Sequence, residues 1–247
     1  MSVLAVIPAR YASSRFPGKV LVPLGGRPVL QHVWERVKMA KTISRVVVAT
    51  DDQRILAAVQ GWGGEALLTR ADHTSGTERM AEVAAGIPAA IYVNVQGDEP
   101  LIEPDAIDAA VRALLDDPAV AVSTLAAMLT DPDEWRDPNV VKVVFDARGD
   151  ALYFSRAPVP WVRDSGAPAR YHKHLGLYAF RAEALRRFAA LPQGPLERAE
   201  QLEQLRLLEN GIRIRVVETA YHSVGVDVPE DVARVEKLLA RRARPIR

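Results

Sequence analysis

The sequence predicts an α/β protein with a mostly parallel sheet and a smaller β-rich lobe. Up to about residue 120, short apolar runs without polar interruptions alternate with amphipathic segments. This alternation is typical of parallel strands that crossover helices cover on both faces. From there to about residue 180, strand-like runs follow one another with few helices between them, which favours an antiparallel or mixed insertion. The 247 residues suffice for one domain with such a lobe.

The first half of the chain supplies the predicted parallel sheet. Apolar, β-branched runs predict strands at 3–7, 45–50, 66–68 and 91–96. Helices are predicted where apolar residues recur at helical spacing or where proline opens a first turn. They cover 29–41, 53–59, 77–85 and 104–116.

The second half supplies the predicted lobe and then returns to the core. Predicted strands cover 121–127, 140–145, 152–155 and 174–180. Helices at 182–190 and 196–209, a strand at 213–217 and a helix at 229–242 follow. The chain is therefore predicted to be one domain spanning 1–247, with a core of about 1–120 and 181–247 and a lobe of about 121–180.

Composition excludes several classes of protein. The net charge of +1, and the lack of a basic face interleaved with aromatic residues, disfavour a nucleic-acid partner. Without cysteine there is no disulfide, thiolate metal site or cysteine nucleophile. No apolar run approaches the roughly 20 residues of a membrane span. The N-terminus lacks the features of a signal peptide, so no membrane partner and a cytoplasmic location are expected.

The loop at residues 8–19, PARYASSRFPGK, follows the first predicted strand and carries Arg10, Arg15 and Lys19. Three cations at the end of a core strand indicate a cradle for a polyanion such as a nucleoside triphosphate. The alternative is a solvated basic loop. It is not a P-loop, because Ser13 replaces the first glycine and Val20 replaces the magnesium-binding hydroxyl residue. Neither GxGxxG after a strand nor GxSxG occurs, which disfavours dinucleotide enzymes and serine hydrolases.

Two carboxylates indicate a magnesium site. Asp98 leaves a predicted strand in QGDEP, where Gly97 permits a close backbone approach. Asp227 lies in GVDVPED, directly before the last predicted helix. Magnesium prefers a few protein oxygens together with substrate phosphates. The alternative is structural, with Asp98 capping a turn and Asp227 belonging to the start of a helix.

Two further polar groups leave alternatives open. His172 and His174 would share one face of a strand. Two histidines without any cysteine are too few ligands for a typical metal site, so contact with an anion is favoured. Glu203 and Gln204 lie on the polar face of the predicted helix 196–209. That face is either simply solvated or hydrogen-bonds the hydroxyl groups of a sugar.

The sequence resembles the CMP-Kdo synthetases, or 3-deoxy-manno-octulosonate cytidylyltransferases, over nearly its whole length. The resemblance rests on motifs that occur in one order: PARYASSRFPGK, VATDD, TRADHTSGTER, VNVQGDEP, NVVKVV, ALYFSR, HLGLYAFR, LEQLR and GVDVPED. It implies a Rossmann-like nucleotidyltransferase core, a β-rich dimerisation lobe and a homodimer. It also implies Mg²⁺ as cofactor, CTP and Kdo as substrates, and transfer of CMP to the anomeric hydroxyl of Kdo for lipopolysaccharide assembly, with release of pyrophosphate.

The same resemblance assigns roles to individual residues. The catalytic residues it implies are Arg10, Lys19, Asp98 and Asp227, of which Asp98 and Asp227 bind the metal. The nucleotide-binding residues are Pro8, Ala9, Arg10, Ser13, Lys19, Thr69, Arg70, Ser75, Gly76 and Gln96. The sugar-binding residues are Arg15, Gln96, His174, Tyr178, Glu203 and Gln204, with Arg156 as a weaker candidate. The alternatives are the 8-amino analogue of Kdo or a sialic acid as acceptor, and a non-catalytic nucleotide-binding protein.

Overall fold

The computed structural model describes residues 1–13, 15–163 and 170–242, so Ser14 of the cationic loop lies outside the described residues. The chain divides into two compact units. The first comprises Met1–Asp108 and Ser223–Arg247, and the second comprises Ala109–His222. The predicted α/β class is confirmed, with a mostly parallel central sheet and additional antiparallel strands.

The first unit is built on four parallel strands. Strand β1 (Val3–Ala9) lies between β4 (Arg45–Thr50) and β6 (Ile91–Asn94), and β5 (Ala66–Leu68) pairs with the other side of β4. The runs that became β1, β4 and β6 supply most of the core, whereas β5 is only partly buried and its Leu68 is exposed. Strand β1 continues two residues past the predicted end, so Pro8 and Ala9 belong to the strand rather than to the loop.

Helices follow the strands of this unit. They are α1 (Val29–Lys38), α2 (Gln53–Gly61), α3 (Gly76–Gly86), the first part of α4 (Pro104–Asp116) and α9 (Pro229–Arg242). Helix α1 ends three residues before the predicted residue 41. The carboxylate of Asp108 accepts hydrogen bonds from the backbone N–H groups of Lys41 (3.1 Å) and Thr42 (2.8 Å), which replaces further helical bonding there.

A short hairpin, which the sequence analysis did not predict, follows the cationic loop. After a 3₁₀ turn at Lys19–Leu21, β2 (Pro23–Leu24) and β3 (Arg27–Pro28) pair antiparallel. Gly25 and Gly26 connect them with φ values of 55° and 84°, a conformation that favours glycine at both positions. The hairpin packs into an apolar cluster that also contains residues of the C-terminal segment. The buried members of this cluster are Leu24, Val29, Leu101, Val226 and Val235.

The second unit contains a mixed sheet. Strand β7 (Val122–Leu129) pairs antiparallel with β10 (Tyr171–Arg181) and parallel with β11 (Ile214–Glu218). Strand β8 (Lys142–Phe145) joins β10 to β9 (Ala151–Ser155). The helices of this unit are the remainder of α4, α5 (Pro132–Arg136), α6 (Ala182–Ala190), α7 (Pro195–Glu200) and α8 (Leu205–Glu209). Across the described ranges of both units, no helix is long and apolar enough to span a membrane.

The prediction of one helix over 196–209 is wrong. Helix α7 ends at Glu200, because the backbone of the next residue, Gln201, is left-handed with φ 54° and ψ 48°, and α8 starts only at Leu205. Among the apolar residues at helical spacing in this segment, Leu202 and Leu205 are buried, whereas Leu196 is exposed. An ion pair is also buried here, in which Arg206 donates to both carboxylate oxygens of Glu197 at 2.8 and 2.6 Å.

Candidate active site

A polar cleft opens at the C-terminal ends of β1 and β6, which lie at the same edge because these strands are parallel and adjacent. Its volume is about 420 Å³. The residues that line it come from the cationic loop, the start of α3 and the loop after β6. They are Pro8, Arg10, Ala12, Ser13, Arg15, Lys19, Val20, Gly76, Gln96, Gly97 and Asp98.

The cationic loop is held in a compact turn by Gly18 and Tyr11. The N–H of Gly18 donates to the carbonyl of Tyr11 at 2.8 Å, and the φ of Gly18 is 75°. A Cβ atom at Gly18 would lie 3.0 Å from the Tyr11 ring, so this position favours glycine for its conformation and for its space. The guanidinium of Arg54, at the start of α2, stacks 3.3 Å from the centre of the same ring. This packing fixes the loop that carries Arg10, Arg15 and Lys19.

Gly97 brings the loop after β6 against the end of β1. A Cβ atom there would lie 2.8 Å from the carbonyl oxygen of Pro8 and 3.3 Å from a methyl group of Leu30. Only glycine fits without a shift of the backbone, which confirms the predicted close approach. The next residue, Asp98, is therefore held beside the cationic loop.

Lys19 joins the two predicted metal-binding carboxylates. Its Nζ donates to Asp98 Oδ2 at 2.5 Å and to Asp227 Oδ1 at 2.9 Å. Arg15 also pairs with Asp227, at 3.1 Å. Burial alone would lower the pKa of Lys19, but the charges and hydrogen bonds of Asp98 and then Asp227 raise it above its ordinary value. Lys19 therefore carries a fixed positive charge at the centre of the site.

The backbone places Asp227 next to Asp98 although they are distant in sequence. The N–H of Val226 donates to the carbonyl of Asp98 at 2.9 Å, and the Val226 side chain lies in the apolar cluster described above. The N–H groups of Asp227 and Val228 donate to the carboxylate of Asp231 at 2.9 and 3.1 Å. This role of Asp231 was not predicted from the sequence, although an acidic residue in a first helical turn commonly reaches back in this way.

The two carboxylates fit a magnesium ion. Asp98 and Asp227 both reach one ammonium group, so one cation can contact both. In the described ranges no cluster of three or more possible metal ligands occurs, and a pair suits an ion that takes its other ligands from phosphates and water.

Four of the predicted nucleotide-binding residues are not among the residues that line the cleft. Ala9 is buried in β1. Ser75 is the N-cap of α3 and accepts a hydrogen bond from the Glu78 N–H at 3.2 Å. Thr69 donates its hydroxyl to the Thr50 carbonyl at 3.1 Å, and Arg70 is exposed. In the described part of the chain, Ala9, Thr69, Arg70 and Ser75 do not line the cleft.

Arg79 orders this region and was missed by the sequence analysis. Its side chain is 1% exposed. The guanidinium donates to Asp51 at 3.1 Å, to the Thr69 hydroxyl at 2.5 Å and to the Arg70 carbonyl at 3.2 Å. Arg79 thereby ties the loop after β5 to the end of β4. A charged residue in an amphipathic helix gives no sequence signal that distinguishes this buried role from an exposed one.

Four of the predicted sugar-binding residues lie in the second unit. The rings of His174 and Tyr178 are 5.4 Å apart, and His174 Nε2 lies 2.9 Å from the Thr124 hydroxyl. Desolvation lowers the pKa of His174 to about 3, so this ring is neutral at physiological pH. Burial, and then the charge of nearby Glu203, raise the pKa of Tyr178 well above its ordinary value. Gln204 is buried, and within the described residues its Nε2 has no hydrogen-bond partner.

The weaker sugar-binding candidate, Arg156, is engaged by the protein itself. Its guanidinium donates to the backbone carbonyls of Glu200 (2.8 Å), Pro138 (3.0 Å) and Gln201 (3.4 Å). His172 likewise contacts a carboxylate of the chain, that of Glu218, at 3.1 Å. The structure thus gives both side chains partners within the second unit.

Comparison with known proteins identifies close relatives. A family model described as "Cytidylyltransferase" matches residues 4–214. The chain is 57% identical to a 3-deoxy-manno-octulosonate cytidylyltransferase of Syntrophotalea carbinolica, with 96% of this chain and 98% of the relative covered. It is 55% identical to the enzyme of the same name from Solibacter usitatus, with 96% and 94% covered. A solved CMP:2-keto-3-deoxy-manno-octonic acid synthetase complexed with CTP superposes with a TM-score of 0.94 at 46% identity, with 98% and 100% covered.

Proposed function

We propose that this chain, which belongs to the 3-deoxy-manno-octulosonate cytidylyltransferase family, is a nucleotidyltransferase that couples CTP to Kdo. It transfers CMP from CTP to the anomeric hydroxyl of Kdo and releases pyrophosphate, for lipopolysaccharide assembly. The observation that carries this proposal is the convergence of Asp98 and Asp227 on Lys19 beside a cationic loop. The reaction is specified by the relatives of 55% and 57% identity that bear the name 3-deoxy-manno-octulosonate cytidylyltransferase. Residues 1–247 together form one cytidylyltransferase domain in this proposal.

The cationic loop serves the triphosphate. Arg10 and Lys19 line the cleft and neutralise charge on the reacting α-phosphate, while Ser13 and backbone N–H groups contact the other phosphate oxygens. The anomeric hydroxyl of Kdo attacks the α-phosphorus in line and pyrophosphate leaves. The role of the protein is positioning and charge neutralisation, without a covalent enzyme intermediate.

Asp98 and Asp227 hold Mg²⁺ in this proposal. When bound there, the ion supplies positive charge to the phosphates and to the attacking hydroxyl. Lys19 contacts both carboxylates, so it sets their separation and offsets their mutual repulsion. In this proposal Arg15, which pairs with Asp227, binds the carboxylate of the sugar.

In this proposal, polar side chains bind the sugar hydroxyls. Gln96 lines the cleft, and His174, Tyr178, Glu203 and Gln204 supply a neutral imidazole, a phenol, a carboxylate and an amide. The buried amide nitrogen of Gln204, which has no partner in the described residues, supports this assignment. A buried donor without a partner is costly unless a ligand satisfies it.

The reaction is tested by turnover of the purified protein with CTP, Mg²⁺ and one acid sugar at a time. We expect pyrophosphate and CMP-sugar in equal amounts with Kdo, and much slower turnover with a sialic acid. Turnover with the 8-amino analogue alone would replace Kdo by that sugar as the acceptor. Failure of every acid sugar, with CTP still bound, would favour the non-catalytic alternative.

Assembly and location complete the proposal. We propose a homodimer formed through the β-rich lobe, which is supported by the exposed apolar side chains of Met128, Leu152 and Trp161 in the second unit. Light scattering of the purified protein should give twice the chain mass of 27.1 kDa. The use of a nucleoside triphosphate as donor favours the cytoplasm as the location of the reaction.

A further inference from the structure

Lys142 is a buried cation whose hydrogen bonds all go to backbone carbonyls. Lys142 is fully buried at the start of β8. Its Nζ donates hydrogen bonds to the backbone carbonyls of Asp137 (2.9 Å), Val140 (2.6 Å) and Arg156 (2.5 Å). Burial lowers the pKa of Lys142. These three bonds use all three donors of the ammonium group. A desolvated charge is a costly way to fill an apolar core, so the arrangement of these carbonyls requires an explanation beyond packing.

The carbonyl of Arg156 belongs to a second set of contacts centred on Glu200, the last residue of α7. Glu200 accepts hydrogen bonds from the Ser155 hydroxyl (2.7 Å) and the Arg156 N–H (2.9 Å). The Arg156 guanidinium in turn donates hydrogen bonds to the backbone carbonyls of Glu200 and Gln201. Lys142, Arg156 and Glu200 therefore form one continuous network that connects β8, β9 and the end of α7.

The network ends at the turn between α7 and α8. Gln201, in this turn, has a left-handed backbone, which a residue other than glycine adopts only at a cost. Arg156 bonds the carbonyls on both sides of this strained position. The next residues are Leu202, Glu203 and Gln204, so the direction of the turn decides where the carboxylate of Glu203 and the amide of Gln204 point.

We propose that Lys142, Arg156 and Glu200 are positioning residues for the sugar-binding turn 201–204. This inference rests on the proposed function, because it assigns Glu203 and Gln204 to the sugar. The network lies entirely in the second unit, whereas the residues that line the triphosphate cleft belong to the first unit. It therefore governs recognition of the acid sugar and leaves nucleotide binding unchanged.

Glu200→Gln tests the network, with Glu209→Gln as a matched control. Glu209 also accepts two backbone hydrogen bonds from α7, at the Leu196 and Glu197 N–H groups, but at the end of the helix away from the turn. We expect Glu200→Gln to raise the KM for Kdo at least about tenfold and to leave the KM for CTP within about twofold. Glu209→Gln should change neither constant.

Hydrogen exchange separates positioning from general stability. In Glu200→Gln the amides of 201–205 should exchange faster than in the wild type, while those of β1 and β6 remain unchanged. Lys142→Met should show the same pattern, and its binding of CTP reports whether it has folded. Equal KM values for Kdo in the two glutamine variants, or a parallel rise in both KM values for Glu200→Gln, would overturn the inference. An inactive wild type would refute the proposed function as well, whereas an active one confines the failure to the network.

Discussion

Replacing Gly97 with alanine should displace Asp98 and slow the reaction. The new Cβ atom would lie 2.8 Å from the Pro8 carbonyl oxygen, about 0.6 Å closer than an ordinary contact at 3.4 Å. This neighbour is backbone in the central strand of the sheet and cannot rotate away, so the loop that carries Asp98 has to move. Overpacking of this kind costs about 1–3 kcal/mol of stability. A displacement of about half an ångström at a reacting group predicts a loss of roughly tenfold in kcat.

The assay compares Gly97→Ala with Gly61→Ala, which adds a methyl group where nothing lies within 4 Å. Urea denaturation and steady-state release of pyrophosphate are measured on both variants. We expect the control to keep the wild-type kcat and to be as stable as the wild type or more stable by up to about 1 kcal/mol, because Gly61 lies in helix α2, where alanine is favoured over glycine. If Gly97→Ala retained normal kcat and stability, the reasoning that close packing against Pro8 positions Asp98 would be refuted.

Two further predictions concern buried charge and pH. Arg206→Met leaves the Glu197 carboxylate buried without its partner, so the free energy of unfolding, measured by urea denaturation, should fall by about 3–5 kcal/mol. The control Arg186→Met breaks an exposed pair with Glu183 and should lower the free energy of unfolding by less than about 1 kcal/mol. Because desolvation lowers the pKa of His174 to about 3, the unfolded chain takes up a proton first as the pH falls below about 6.5. Between pH 7 and 5, the wild type should therefore lose up to about 2 kcal/mol more unfolding free energy than His174→Gln, and identical pH profiles would contradict this.

The parallel sheet was predictable because burial on both faces leaves a direct mark on the sequence. The runs that became β1, β4 and β6 are mostly apolar, with few buried polar residues such as Thr50 and Asn94 near their C-terminal ends. The hairpin at 23–28 was missed although Gly25-Gly26 is a turn signal, because its strands have only two residues each.

The break after α7 could not be predicted from local periodicity. The apolar residues of segment 196–209 recur at helical spacing. However, the guanidinium of Arg156, more than forty residues earlier, donates hydrogen bonds to the backbone carbonyls of Glu200 and Gln201. Tertiary hydrogen bonds therefore override the local preference. The same limit applies to Lys142 and Arg79, since a lone cation in a strand or helix has the sequence pattern of a solvent-facing residue.

The chemistry of the candidate site was easier to anticipate than its construction. The cations of the loop and the carboxylates of Asp98 and Asp227 are residue types that packing does not explain, so they stand out in the sequence. The residues that hold these groups in place could not be recognised in the sequence. The bond from Val226 to the Asp98 carbonyl joins segments more than one hundred residues apart, and Asp231 fixes the Asp227 loop from within an ordinary helix start.

Whether Asp98 and Asp227 form the catalytic centre is tested by Kdo-dependent release of pyrophosphate by Asp98→Asn and Asp227→Asn at saturating CTP and Mg²⁺. Asp105→Asn is the matched control, because Asp105 is an exposed carboxylate in the first turn of α4. If Asp98 and Asp227 together hold the metal against the phosphates, each of these variants should lose at least about 100-fold in kcat while the control keeps the wild-type rate. A near-normal rate in either Asp98→Asn or Asp227→Asn would contradict the assignment of this pair as the catalytic centre.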